Sequence, residues 1–296
     1  MKGVLAAASM AALFAVLGAQ FAPMLIVSGA VLGLVVLRHG LREALKVAVL
    51  AALMTAVFFQ AVAGQVGTTV AVVMAPWVPV ICATFILRHA GQPGRAVAVV
   101  GMFVAGVAFS IRQAVPDIDA FWAKYLAGLA STVKASGGQF LTADEVQELA
   151  KAMHHASLGI LMAALVAMVL TARWWQSALY RPGAFGTEFR ALSLPVWALP
   201  ALVGGAVVMA LAGRETFVGQ VAGDAVVVLM LSFGIQGLAV AHERVAANTG
   251  GRGWLVGLYL CLALLPQVAS MGLAMTGLAD VVADFRRLRR RAGDEK

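Results

Sequence analysis

Chemistry in this chain has to come from the few polar side chains that interrupt long apolar runs. Gln236 lies inside the run 221–241, Asp224 sits near its start, and Gln267 follows Pro266 inside the run 254–279. Polar groups at membrane depth are costly and face a bundle interior or a water-filled cavity. Gln236, Gln267 and Asp224 are therefore the candidate ligand-binding residues. Interhelical hydrogen bonding is the competing role for the two glutamines, and exposure to water just ahead of the run is the competing role for Asp224. Gln60 and Gln65 bracket the end of the run 47–62. His154 and His155 are adjacent, which sends them to different sides of a helix. That spacing suits a polar rim at the membrane surface better than a shared metal. His242–Glu243–Arg244 closes an apolar run, and a helix C-terminus favours cations. Asp280 and Asp284, one turn apart, can pair with arginines such as Arg287.

The patterns of soluble catalysis are missing. The chain has no His-Glu-x-x-His, no Walker loop, no Gly-x-Ser-x-Gly and no cysteine–histidine metal spacing. No catalytic residue, metal ligand or cofactor is assigned, and the chain does not read as an enzyme. Its two cysteines, Cys82 and Cys261, each lie inside an apolar run and read as filler.

The elements that must position these residues are helices in lipid. Of 296 residues, 61% are hydrophobic and 12% charged, against about 45–50% and about 25% in soluble domains. The mean hydropathy is +0.90. The expected fold is all-α, a polytopic transmembrane helical bundle with about eight or nine hydrophobic segments, where about 20 residues cross the hydrocarbon. The segments are 3–19, 24–37, 47–62, 66–87, 95–111, 156–172, 195–212, 221–241 and 254–279. The net charge of +8 sits in loops and the tail, a pattern of membrane topology rather than of nucleic-acid binding. The sequence divides into N-terminal transmembrane helices (1–111), a helical periplasmic cap (112–155), C-terminal transmembrane helices (156–279) and a basic cytoplasmic tail (280–296).

Local signals refine this division. Ala7, Ala11 and Ala15 recur every fourth residue between Gly3 and Ala19, a stripe of small side chains on which another helix can pack closely. Thr142 followed by Ala143–Asp144–Glu145 is a capping box. It starts a helix that should run unbroken from the cap into the segment 156–172. Nine single crossings leave eleven of the 22 positive charges on each side, against the rule that positive residues collect inside. Bringing the six charges of the tail inside makes the split 17 to 5. Pro266 can break the last run into two half-spans, which puts both termini inside. Arg286, Arg287, Arg289, Arg290 and Arg291 then meet anionic lipid headgroups.

The closing order of residues resembles the YybS-like bacterial membrane proteins. It is carried by Gln236–Gly237–Leu238–Ala239–Val240 with His242, Pro266–Gln267, Gly277–Leu278 with Asp280, and Asp284–Phe285–Arg286. Arg38–His39–Gly40–Leu41–Arg42 and Arg181–Pro182 extend it. The resemblance implies an architecture and little mechanism. The N-terminal half is similar in style to substrate-binding membrane subunits of energy-coupling-factor transporters, in which an alanine-rich helix face docks a transmembrane partner. It is also similar to envelope scaffolds such as the rod-shape-determining membrane subunits. The expected function is thus that of a multi-pass protein of the bacterial inner membrane, a solute-binding or transport-related subunit, with a non-catalytic envelope scaffold or assembly factor as the alternative. Its partners are the bilayer, a small-molecule solute and a membrane protein docked on the first helix, not nucleic acid.

Overall fold

The computed structural model describes residues 3–63, 67, 71, 74–138, 142–247 and 252–283. These residues form helices and connections, with no strand among them. In chain order the helices are α1 (Val4–Gln20), α2 (Met24–His39), α3 (Leu41–Ala63), α4 (Trp77–Ala90), α5 (Pro93–Ala114) and α6 (Ile118–Ala135). There follow α7 (Ala143–Tyr180), α8 (Ala184–Arg190), α9 (Ala198–Ala212), α10 (Phe217–Ala246), α11 (Arg252–Leu264) and α12 (Pro266–Ala283).

Among the described residues, four helices are long and apolar enough to cross a membrane: Leu41–Val62 within α3, and the whole of α5, α7 and α10. This corrects the expected count of eight or nine. Shorter apolar helices of 10–17 residues are α1, α2, α4, α9 and Gly253–Leu264 within α11. Prolines and glycines set the limits. Pro23 opens α2, Pro76 precedes α4, and Gly213, at φ +81°, ends α9. Leu265 alone separates α11 from α12. Its N–H donates to the Cys261 carbonyl (2.8 Å) and its carbonyl accepts from Ala269 N–H (3.0 Å), so it closes one helix and opens the next. Pro266 suits this corner because the first helical residue needs no N–H partner.

The helices pack on small residues. Ala7, Ala11 and Ala15 of α1 are buried to 3%, 0% and 0% exposure in a cluster with Val31, Leu32 and Val35 of α2 and Ala44 and Val47 of α3. The stripe is therefore filled within the chain. Ser28 ties three helices together, donating its hydroxyl to the Ala11 carbonyl (2.8 Å) and accepting from Trp77 Nε1 (3.1 Å). The tightest crossing joins α10 to α12. A Cβ added to Gly237 would meet the Leu273 carbonyl oxygen at 1.9 Å, and one added to Gly277 would meet that of Phe233 at 2.1 Å. Between helices in lipid, association rests on such close van der Waals contact. Large apolar side chains cover the outside, among them Val57, Ile160, Val196 and Leu211. That surface suits hydrocarbon and would be unfavourable in water.

Within 112–155, α6 packs against the first turns of α7. Asp117 caps α6 by accepting Ala120 N–H (2.9 Å). Thr142 caps α7, with the reciprocal Glu145 contact to Thr142 N–H (2.8 Å) in place. Ala123 and Leu126 of α6 bury against Val146 and Ala150 of α7. At about 1.5 Å per residue, α7 is about 57 Å long, close to twice the roughly 30 Å of a bilayer core. One continuous helix therefore carries both the cap contact and an apolar run of spanning length.

Candidate functional site

Three of the four long helices bring charged residues to one point. Arg112 lies in the last turn of α5, His154 and His155 lie about three turns into α7, and Gln220 and Asp224 lie one turn apart near the start of α10. Local structure places each of them. A cation is favoured at the C-terminal end of α5. Thr216 caps α10 by accepting Gly219 N–H (3.1 Å). Gly219 lies so close to Gly213 that a Cβ there would meet its carbonyl oxygen at 1.9 Å. This tight turn sets the first residues of α10 beside α9.

Asp224 is the centre of the cluster, with 2% of its surface exposed. Arg112 grips both carboxylate oxygens: Nε donates to Oδ2, and Nη2 donates to Oδ1 at 2.9 Å. Nη1 of the same guanidinium donates to Gln220 Oε1 at 3.0 Å. His154 Nε2 lies 3.1 Å from Oδ2, and His155 Nε2 lies 3.2 Å from Oδ1. An ionised carboxylate only accepts, so both histidines carry a proton on Nε2 and donate. Each carboxylate oxygen thus receives one guanidinium N–H and one imidazole N–H. Such saturation is what a charge removed from water requires. His154 is buried, whereas the His155 side chain keeps 48% exposure. His155 is therefore where the buried carboxylate comes closest to the outside.

The adjacent histidines do not part to different sides of α7, as their spacing suggested. Neighbouring residues of a helix are about 100° apart, and a carboxylate facing the bisector reaches both; their ring centroids are 5.5 Å apart. Asp224, for its part, is buried rather than lying in water ahead of the run. Arg112, His154, His155 and Gln220 were not among the candidate residues. A sequence signal for them did exist. In the charge bookkeeping, Arg112, the histidines and the start of the run 221–241 all fall on one face, and a lone acid in an apolar run needs a basic partner.

The other two candidates lie elsewhere. Gln236 has 0% exposure. Its Oε1 accepts Leu194 N–H (2.9 Å), and its Nε2 donates to Asp280 Oδ2 (2.8 Å) and toward the Gly277 carbonyl (3.4 Å). The amide joins the segment before α9 to α10 and α12. Gln267 is exposed in the first turn of α12, where its carbonyl accepts the Ser270 hydroxyl (3.0 Å). Three clefts, of about 720, 320 and 290 Å³, are lined by none of Asp224, Gln236 and Gln267. The residues Arg286, Arg287, Arg289, Arg290 and Arg291 lie outside the described residues. Among the described residues, no group of three or more His, Cys, Asp or Glu side chains is placed to hold a metal ion.

Chemically, the cluster can hold a buried negative charge in balance and can exchange its partners. A cation that displaces the arginine from Asp224 would loosen the tie between α5 and α10, and one that displaces a histidine would loosen the tie between α7 and α10. Comparison with protein-family models, with curated proteins and with solved structures returns no match, so the site rests on its own geometry.

Proposed function

We propose that this chain is a multi-pass protein of the bacterial inner membrane with a transport-related role, of the YybS-like kind, and that Asp224 is its exchangeable counter-ion. The observation that carries the reading is the buried carboxylate shared by Arg112, His154 and His155 at the junction of three helices of spanning length. Ionisable groups buried within a membrane bundle are costly and mark ion or substrate pathways, and this carboxylate is buried in protein at one end of the bundle. In this reading a proton or a cationic solute enters past His155, takes the carboxylate and releases one of its partners. The solute stays unspecified, and no residue has a covalent role.

The test is flux in proteoliposomes of the purified chain, read with an internal pH dye and an imposed gradient, alongside native mass spectrometry for retained small molecules. Asp224→Asn should lower flux or ligand retention by about ten-fold or more, the scale of a lost charge-assisted contact. The Arg112→Gln/Asp224→Asn pair removes both charges and should regain thermal stability without regaining flux. Recovery of both would reduce the cluster to a structural clamp and defeat the proposal.

A second reading, a non-catalytic envelope scaffold, draws on a different observation. The crossing of α10 and α12 is closed, with Gly237 and Gly277 in backbone contact and Gln236 satisfied by protein groups. A filled core of that kind suits a rigid assembly partner. Absence of flux, together with one stoichiometric protein partner retained in native lipid, would favour it.

A further inference from the structure

At the opposite end of α5 from the Asp224 cluster, the chain gathers arginines rather than balancing them. The 17 residues from Arg95 to Arg112 span about 26 Å at helical rise, close to the thickness of a bilayer core. There the C-terminal ends of α2, α4 and α7 meet around a cleft of about 320 Å³ lined by Arg38, Arg88, Arg173 and Arg181, and by no aspartate or glutamate. We propose that this cleft binds a phosphate-bearing anion, either the headgroup of an anionic lipid or free phosphate.

Three of the guanidinium groups are held in position. Arg88 donates through Nη1 to the Val36 carbonyl (2.7 Å), with Leu37 at 3.4 Å, and so caps the end of α2. Arg38 lies over the Tyr180 ring, 4.1 Å from its centroid. Arg173 grips Glu188 with Nε and Nη2 and reaches Gln176 with Nη1. Gln176 in turn donates to the Leu37 carbonyl (3.2 Å). Ser177 pins the turn that presents Arg181, donating to the Arg181 carbonyl (2.9 Å) and accepting Phe185 N–H (3.0 Å). Gly40, at φ +94°, leaves space where a Cβ would stand 3.5 Å from Arg88 Nη1.

Helix C-termini explain part of this gathering, because each carries about −0.5 charge. Three such ends and Glu188 still leave the four guanidinium charges in excess by roughly one and a half units. Like charges brought together from three helices repel unless an anion joins them. Arginine's planar fork, with five donors, matches phosphate oxygens in pairs. Arg38, Arg88 and Arg181 are exposed at the cleft. Trp174 and Leu179, exposed and adjacent in sequence to the lining residues Arg173 and Tyr180, offer apolar surface to the acyl chains under a headgroup.

The test compares two probes on the full chain in detergent: inorganic phosphate, and phosphatidylglycerol with phosphatidylcholine as its zwitterionic control. Native mass spectrometry and the shift in thermal unfolding report binding. Saturable binding of phosphate alone identifies a free anion, and retention of phosphatidylglycerol over phosphatidylcholine identifies a headgroup; either supports the site. Arg38→Gln/Arg181→Gln should weaken binding by about five-fold for each arginine removed, the worth of one basic residue near an anionic surface. Arg42→Gln, at an exposed arginine that does not line the cleft, should leave binding unchanged. Arg181→Gln alone replaces the double variant if that one does not fold. Absence of binding by both probes, or equal weakening by Arg42→Gln, overturns the proposal.

Discussion

Asp224 is held by more donors than a lone carboxylate on an apolar helix can find in its own neighbourhood. Its arginine lies 112 residues away and its buried histidine 70. Removing one partner is worse than removing the pair, because the survivor stays buried and charged. Arg112→Gln alone should lower stability by about 3–5 kcal/mol, read as a lower thermal midpoint in detergent, and adding Asp224→Asn should recover most of that loss. Gln236 obeys the same logic without charge. Gln236→Leu strands Leu194 N–H and removes the amide's bond to Asp280, and should cost about 1–3 kcal/mol, again read by thermal unfolding. Both polar residues were legible as exceptions in their apolar runs. Their partners were not, since a hydrogen bond between distant segments leaves no periodicity in the chain.

Elements carry a different kind of constraint. The α10–α12 crossing works only with hydrogen at two positions. Gly237→Ala or Gly277→Ala pushes a methyl into a carbonyl oxygen, where the obstacle is backbone and cannot rotate away. Either variant should lose about 1–3 kcal/mol or more, and protease sensitivity near α12 should rise with it. The cap offers a milder case. Thr142→Ala removes one acceptor from the exposed start of α7 and should cost about 1 kcal/mol. Hydrogen exchange confined to the first turns of α7 would register it. The capping box was readable because it depends on four consecutive residues. The shortness of α1 and α2 was legible in the runs 3–19 and 24–37, whereas the start of α4 at Trp77, after Pro76 and inside the run 66–87, was harder to read, since hydropathy alone does not say where a helix begins.

For the whole molecule, the alternation of ends is the main consequence. Arg38, Gly91 and Arg181 line one cleft, so they face the same side of any bilayer that the chain occupies. Residue Ser136, at the end of α6, is separated from Gly91 by the apolar length of α5. With Cys82 and Cys261 replaced, single cysteines at Gly91 and Arg181 should react with an impermeant maleimide from one side of sealed vesicles. A cysteine at Ser136 should react from the other. Labelling of all three from the same side would remove α5 as a crossing helix. The arrangement leaves a balanced buried cluster at one end of the bundle and an unbalanced arginine cleft at the other.

What the linear order of residues determined was the secondary structure and the apolar character of the helices. A composition of 61% hydrophobic and 12% charged residues leaves too little polar surface to face water, and uninterrupted apolar runs satisfy their backbone only as helices. Local signals, namely the Thr142 box, the break before Pro266 and the alanine stripe of α1, act over a few residues and so could be read directly. Only the folded chain decided which face of each helix meets which neighbour. That choice buried the Ala7–Ala15 stripe within the chain, turned two adjacent histidines onto one carboxylate and gave Gln236 to Leu194 and Asp280. Side-chain pairing in a bundle depends on crossing points set by bulk and backbone contact across the entire molecule, which no single stretch encodes.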